Sequence, residues 1–134
     1  MSEFKEQVEA LEKLIVDSYE DGVSMQIAQD HAARFLVAQL AVSNELKKAD
    51  LDSRMRKTGV KEIRARMYLE ECSKADKKPS DVLLGALVDS NALVIAAQNS
   101  FDESEVDMGE LERLYNVFGN AHIHFRTISR GTMG

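Results

Sequence analysis

Proline occurs once in this chain of 134 residues, cysteine once and tryptophan not at all. Each scarcity closes off something. With Pro79 the sole imino acid, long helices are permitted almost everywhere. Cys72 has no second cysteine for a disulfide or for a CxxC zinc or redox pair, which points to a reducing compartment, the cytoplasm. The longest apolar runs, "VLLGALV" and "ALVIAA", are split by Asp89, Ser90 and Asn91, too short and too interrupted to cross a bilayer, so no membrane role is expected. The start, "MSEFKEQVEA", has neither the basic nor the apolar segment of a secretory signal. No GxxxxGK[ST] or GxGxxG phosphate loop occurs, and no run of strict alternation argues for a sheet.

What remains is a composition of 44% hydrophobic and 30% charged residues, that of a soluble helical protein and not of a disordered one. At 134 residues it fits one domain, burying ~two-thirds of its unfolded surface. Phe4, Val8, Leu11 and Ile15 define a first amphipathic helix, ended by Gly22, with Ser24 capping the next. Ala28, Ala32, Phe35, Leu36, Gln39 and Leu40 begin a long second helix that meets Gly59, where a kink, a turn or a close contact is expected. Pro79 stops it after a charged turn, "KADKKPSD", and Ser80 caps its successor. Leu83, Leu87, Ser90, Val94, Ala97 and Phe101 step by four and three, the seam of one helix packing on another. The acids of "NSFDESEVD" then interrupt, and Asp107 with Glu110 resembles a capping box before a last helix carrying Met108, Leu111, Tyr115, Phe118, His122 and Phe125.

The expected fold is therefore all-α, a long-helix hairpin or small bundle forming a single helical domain. Residues 1–78 would hold its amino-terminal helices and residues 79–134 its carboxy-terminal ones. Three tyrosines and five phenylalanines on thin, alanine-rich faces leave little core per protomer, so the last helix and the seam from Leu83 onward are expected to bury surface between subunits of a homo-oligomer.

Charge is unevenly shared. The net charge is −6, with eight acids and two bases in residues 1–30 and eight acids and no base in residues 79–112, yet residues 47–66 hold eight bases and three acids. On a continuous helix Lys47, Arg54, Lys57, Lys61 and Arg64 fall within an arc of about 100° over roughly 25 Å, with Asp50 inside it. Such a stripe suits a polyanion, since each neutralised phosphate releases a counterion; it equally suits a solvated face or one paired with the acidic helices. Residues 113–134 add three arginines and no acid. Tyr68 is the one aromatic near the stripe for base stacking, and Phe125 sits beside Arg126.

Enzymatic constellations are lacking. Cys72 in "ECSKADKK" has no histidine near it in sequence. On a helix His122 and His124 point about 160° apart and cannot share a metal. His31 stands alone, and Asp102 with Glu103 reads as a solvated pair. No catalytic residue, metal site or cofactor is expected.

The order of features resembles the UvsY-type recombination mediators of tailed phages: an acidic first helix, a long second carrying "ELKKADLDSRMRKTGVKEIRARMYLEE", a "KKPSD" break and a closing "LERLYNVFGNAHIHFRTISRG". In those proteins a basic helical stretch ends in a KAR-like triplet, echoed by "IRAR" with Met67 and Tyr68, and the last helix runs through an I-K-x-hydrophobic-x-x-R pattern to a terminal glycine, echoed by "HIHFRTISRG". The resemblance implies a ring-forming, non-enzymatic accessory protein that binds single-stranded DNA. It would contact a recombinase and a single-strand-binding protein, load the first while displacing the second, and act in a host cytoplasm. It places DNA binding on Lys47, Arg54, Lys57, Lys61 and Arg64, with Arg56 and Arg66 beside them, and assembly on Leu111, Tyr115, Phe118 and Phe125. Gly59 within the basic stretch and the net acidity depart from that pattern. The competing expectations are an acidic helical phage protein that inhibits a host factor, and a small DNA-packaging adaptor that prefers duplex.

Overall fold

A computed structural model describes residues 2–74 and 79–131, and among these the chain forms four helices and no strand: α1 (Ser2–Asp21), α2 (Met25–Lys74), α3 (Asp81–Asp89) and α4 (Ala92–Ser129). The all-α class is as expected. No single helix is long and apolar enough to cross a membrane; α3 and α4 pass that test only when joined, and they are bent by 65° at their break.

The helix ends follow from local chemistry. Gly22 adopts φ 75°, open to glycine at no steric cost, and its N–H donates to the Ser18 carbonyl at 3.1 Å. Ser24 then accepts from the Ile27 N–H at 3.2 Å through its hydroxyl, satisfying one of the orphan donors of α2. Ser80 does the same for α3, accepting from the Leu83 N–H at 3.2 Å. Of the charged turn expected at "KADKKPSD", residues 74–81, positions 75–78 lie outside the described residues.

Three expectations are corrected. The seam from Leu83 to Phe101 is not one helix, because Ser90 and Asn91 break it. Asn91 Oδ1 accepts from the N–H groups of Leu93 at 2.9 Å and Val94 at 3.3 Å, so an asparagine cap starts α4 there. Accordingly α3 turns Leu84 and Val88 inward at 0% and 3% exposure, while Leu83 and Leu87 stand at 52% and 36%. Nor do the acids of residues 102–107 interrupt anything: α4 passes through them, and Asp107 and Glu110 lie within it instead of capping it. Phe101, Ser104 and Met108 continue the three-and-four inward spacing while the acids face water, so no boundary is needed. Finally, α2 passes through Thr58 and Gly59 without a turn, and a Cβ on Gly59 would meet nothing within 4 Å.

The described residues fall into two compact units, Met1–Asn44 with Glu112–Gly134, and Glu45–Leu111. In the first, Phe35, Phe118 and Phe125 are fully buried. Phe35 stacks on Phe125 with centroids 5.5 Å apart and tilts against Phe118 at 5.7 Å, each ring pair contributing ~0.5–1.5 kcal/mol beyond its burial. His122 Nδ1 lies 2.8 Å from the Ala32 carbonyl, and Gln39 Nε2 donates to the Tyr115 carbonyl at 3.4 Å, so α2 and α4 run antiparallel here. Gly119 leaves room for that side chain: a Cβ there would sit 2.5 Å from Gln39 Nε2 and would make the glutamine swing aside. Helix α1 joins through buried Val8, through Tyr19 stacked on His124 at 5.3 Å, and through Glu12 3.7 Å from Arg113.

The second unit has a leaner interior. Inward positions on α2 are Ser53, Arg56, Val60, Ile63 and Met67, stepping by three and four in the manner of a coiled-coil seam. Met67, Val88 and Val94 cluster with Ile63 against them. Ser53 and Ser104 are buried, and the Ser104 hydroxyl donates to the Phe101 carbonyl at 2.5 Å.

Candidate nucleic-acid interface

The basic stretch lies wholly in the second unit, on α2, whose Ser53, Val60 and Met67 side is turned inward. The seven of its eight cations assigned to DNA binding divide into three situations, the eighth, Lys48, pairing with Glu45 at 3.3 Å. Lys47, Lys57, Lys61 and Arg66 are exposed and form no ion pair among the described residues. Arg54 is exposed but bonded one turn back, Nε to Asp50 Oδ2 at 3.2 Å. Arg56 is drawn into the seam, and Arg64 is exposed but paired with a carboxylate on α3.

Arg56 lies in the seam. Its Nε meets Asp52 Oδ2 at 2.9 Å, and its Nη1 donates to both the carbonyl (3.0 Å) and the hydroxyl (3.1 Å) of Ser100 on α4. A guanidinium with these partners holds two helices together, and a phosphate would have to break that contact. Arg64 Nη1 reaches Asp89 Oδ1 at the end of α3, 2.6 Å away. Both side chains of that pair remain substantially exposed, at 45% and 61%, so the pair is screened and its stabilising effect is small, ~0–1 kcal/mol.

The structure thus keeps six of the seven on the solvent side, Arg54 and Arg64 in exposed ion pairs, and commits Arg56 to packing between helices. The Asp50 and Asp52 pairings were legible as i,i+4 neighbours. The Ser100 and Asp89 contacts were not, because only the fold brings those residues to α2. Sequence reasoning also passed over the apolar members of the outward face, Leu51 and Met55, exposed at 62% and 65%. Met55 borders an open hollow lined with Arg54, Thr58, Gly59 and Glu62. Tyr68, 40% exposed, lies beyond Arg64 in a second hollow with Ala65, Leu69 and Gly85.

The residues assigned to assembly are placed differently. Phe118 and Phe125 are 0% exposed and filled by contacts inside their own protomer, which removes them as an intersubunit surface. Leu111 is half-buried, and Tyr115 is 40% exposed. An apolar line at helical spacing shows that a face is covered and not by whom.

Among the described residues no three His, Cys, Asp or Glu side chains converge as a metal site. His122 turns to the Ala32 carbonyl and His124 to the Tyr19 ring, so the two imidazoles diverge. His31 packs edge-on against Phe125 at 5.1 Å. Cys72 is a half-buried free thiol.

No family model matches the chain, and neither a curated protein nor a solved structure is significantly similar to it.

Proposed function

We propose that this chain is a non-enzymatic nucleic-acid-binding accessory protein, acting on single-stranded DNA in the manner of a recombination mediator and delivering a recombinase to strands covered by single-strand-binding protein. The observation that carries the reading is the set of exposed, carboxylate-free cations Lys47, Lys57, Lys61 and Arg66 on one uninterrupted stretch of α2. From Lys47 to Lys61 the helix rises about 21 Å, enough to follow several phosphates of an extended strand, with Arg66 standing half a turn round the helix from Lys57. Arg54 joins the set by exchanging Asp50 for phosphate, a small cost for an exposed pair. One such stripe is weak, so useful affinity calls for several copies along a strand.

Fluorescence anisotropy with a labelled single-stranded oligonucleotide across a salt series tests this. Replacing Lys47, Lys57 and Lys61 together with Ala is expected to flatten the slope of log K against log salt by ~2, at about 0.7 per lost phosphate contact. No binding at low salt, or an unaltered slope in the triple variant, overturns the reading. Preference for duplex in competition would select a packaging adaptor instead.

A second reading is supported by Asp102, Glu103, Glu105 and Asp107 on α4, exposed and without a cation partner among the described residues: an acidic helical protein that engages a basic host factor. Capture of a partner that is lost on neutralising those acids, with no DNA shift, would select it.

A further inference from the structure

Beyond Lys61 the cation-bearing side of α2 runs into a hollow that α3 borders. At 100° per residue Lys57, Lys61, Arg64 and Tyr68 fall within an arc of about 60°, and Tyr68 stands about 10 Å along the axis from Lys61. The hollow, roughly 790 Å³ and open to solvent, has Ala65, Tyr68 and Leu69 of α2 on one side and Gly85 and Val88 of α3 on the other. Its charged lining is Asp81 and Arg64, the latter already bonded to Asp89 at 2.6 Å. Two of these residues are not explained by the packing of the chain. Tyr68 keeps 40% of its surface exposed and stacks on no ring among the described residues. Gly85 lies in the middle of α3, where glycine weakens a helix relative to alanine, yet a Cβ there would meet nothing within 4 Å.

We infer that this hollow receives one unpaired nucleobase of a strand whose phosphates lie along Lys57 and Lys61, with the Tyr68 ring as its stacking surface. The inference rests on the nucleic-acid reading above and adds a base-binding subsite to it. Continuity with the free lysines selects the occupant: they neutralise phosphate, and the next side chain on the same arc is an aromatic ring. A phosphate is disfavoured inside the hollow, because the Asp81 carboxylate repels it and Arg64 is engaged. A flat, apolar-faced base meets neither obstacle. Leu69 and Val88 offer it apolar contact, and the missing side chain of Gly85 leaves room for its outer edge. Bases in a duplex are held in their stack and cannot enter, so the subsite gives a physical reason for preferring single strands.

Fluorescence anisotropy on the full chain with two labelled strands of equal length, one an ordinary oligodeoxynucleotide and one abasic throughout, provides the test. Tyr68→Ala is expected to bind the base-bearing strand about tenfold more weakly than wild type, with the abasic strand and the salt slope unchanged, since the ring holds no phosphate. Tyr68→Phe should retain wild-type affinity. Gly85→Leu, which fills the hollow from α3 while favouring the helix, should cost as much as Tyr68→Ala, and circular dichroism checks that each variant stays helical. Wild-type binding that Tyr68→Ala leaves intact, or weakens equally on both strands, overturns the subsite alone, as does a Gly85→Leu variant that binds like wild type. Failure of wild type to bind either strand at low salt overturns the nucleic-acid reading and the subsite with it.

Discussion

The two units of this chain are built on the same pair of long helices and stabilised by different means. In the first, three fully buried phenylalanines fill the space between α2 and α4, and Gly119 lets Gln39 lie against the opposing backbone. In the second, the corresponding places are taken by Ser53, Arg56, Ser100 and Ser104, with Val60, Met67, Leu84, Val88 and Val94 as the buried apolar remainder. A ring buried among rings gains area and dispersion wherever it sits, whereas serine and arginine in a seam contribute only while their hydrogen bonds are made. The first unit is therefore the tolerant one in chemistry and the exacting one in volume. The second is the reverse, and it also carries the exposed charge.

The largest expected effect tests the aromatic side of this contrast. Phe118→Ala should remove ~3–5 kcal/mol in urea denaturation, with faster amide exchange around Phe35 and Phe125; equal loss of protection around Val94 and Met67 would mean that the two units unfold together. Next comes the cap that starts α4. Asn91→Ala should cost ~1 kcal/mol, read as faster exchange over residues 92–95 with the phenylalanine cluster unaffected. The smallest effect has the opposite sign. Gly59→Ala should stabilise by about 0.5–1 kcal/mol, because the added methyl meets open space and the helix loses a flexible position. A melting temperature lowered by that substitution would show that Gly59 serves a bend or a contact with another molecule.

Much of the architecture was legible before the coordinates. Gly22, Ser24 and Ser80 announced their helix ends because capping is local chemistry, settled within four residues. The break at Ser90 and Asn91 was missed for the converse reason: four-and-three spacing runs across it, and only the inward turn of Leu84 and Val88 in place of Leu83 and Leu87 reveals the change of direction. Acids were read as an interruption in α4, although a buried serine that bonds its own helix, Ser104 to Phe101, can hold a seam position as well as an apolar residue can. The basic stretch was visible in full, but its division was not. Whether an arginine meets solvent or a neighbouring helix depends on residues 25 and 44 positions away, Asp89 and Ser100. The aromatic line was recognised as apolar; Phe118 and Phe125 are covered within their own protomer, while Tyr115 stays 40% exposed.

The way the units are cut from the chain has one more consequence. Residues 45–111 are continuous, whereas the other unit joins the first 44 residues to a segment that begins only at Glu112. During synthesis Phe35 emerges long before Phe118 and Phe125, so α1 and the start of α2 wait with an incomplete core while the intervening stretch already has all its partners. A chain ending at Leu111 would lack Phe118 and Phe125 and so leave the aromatic half without its core.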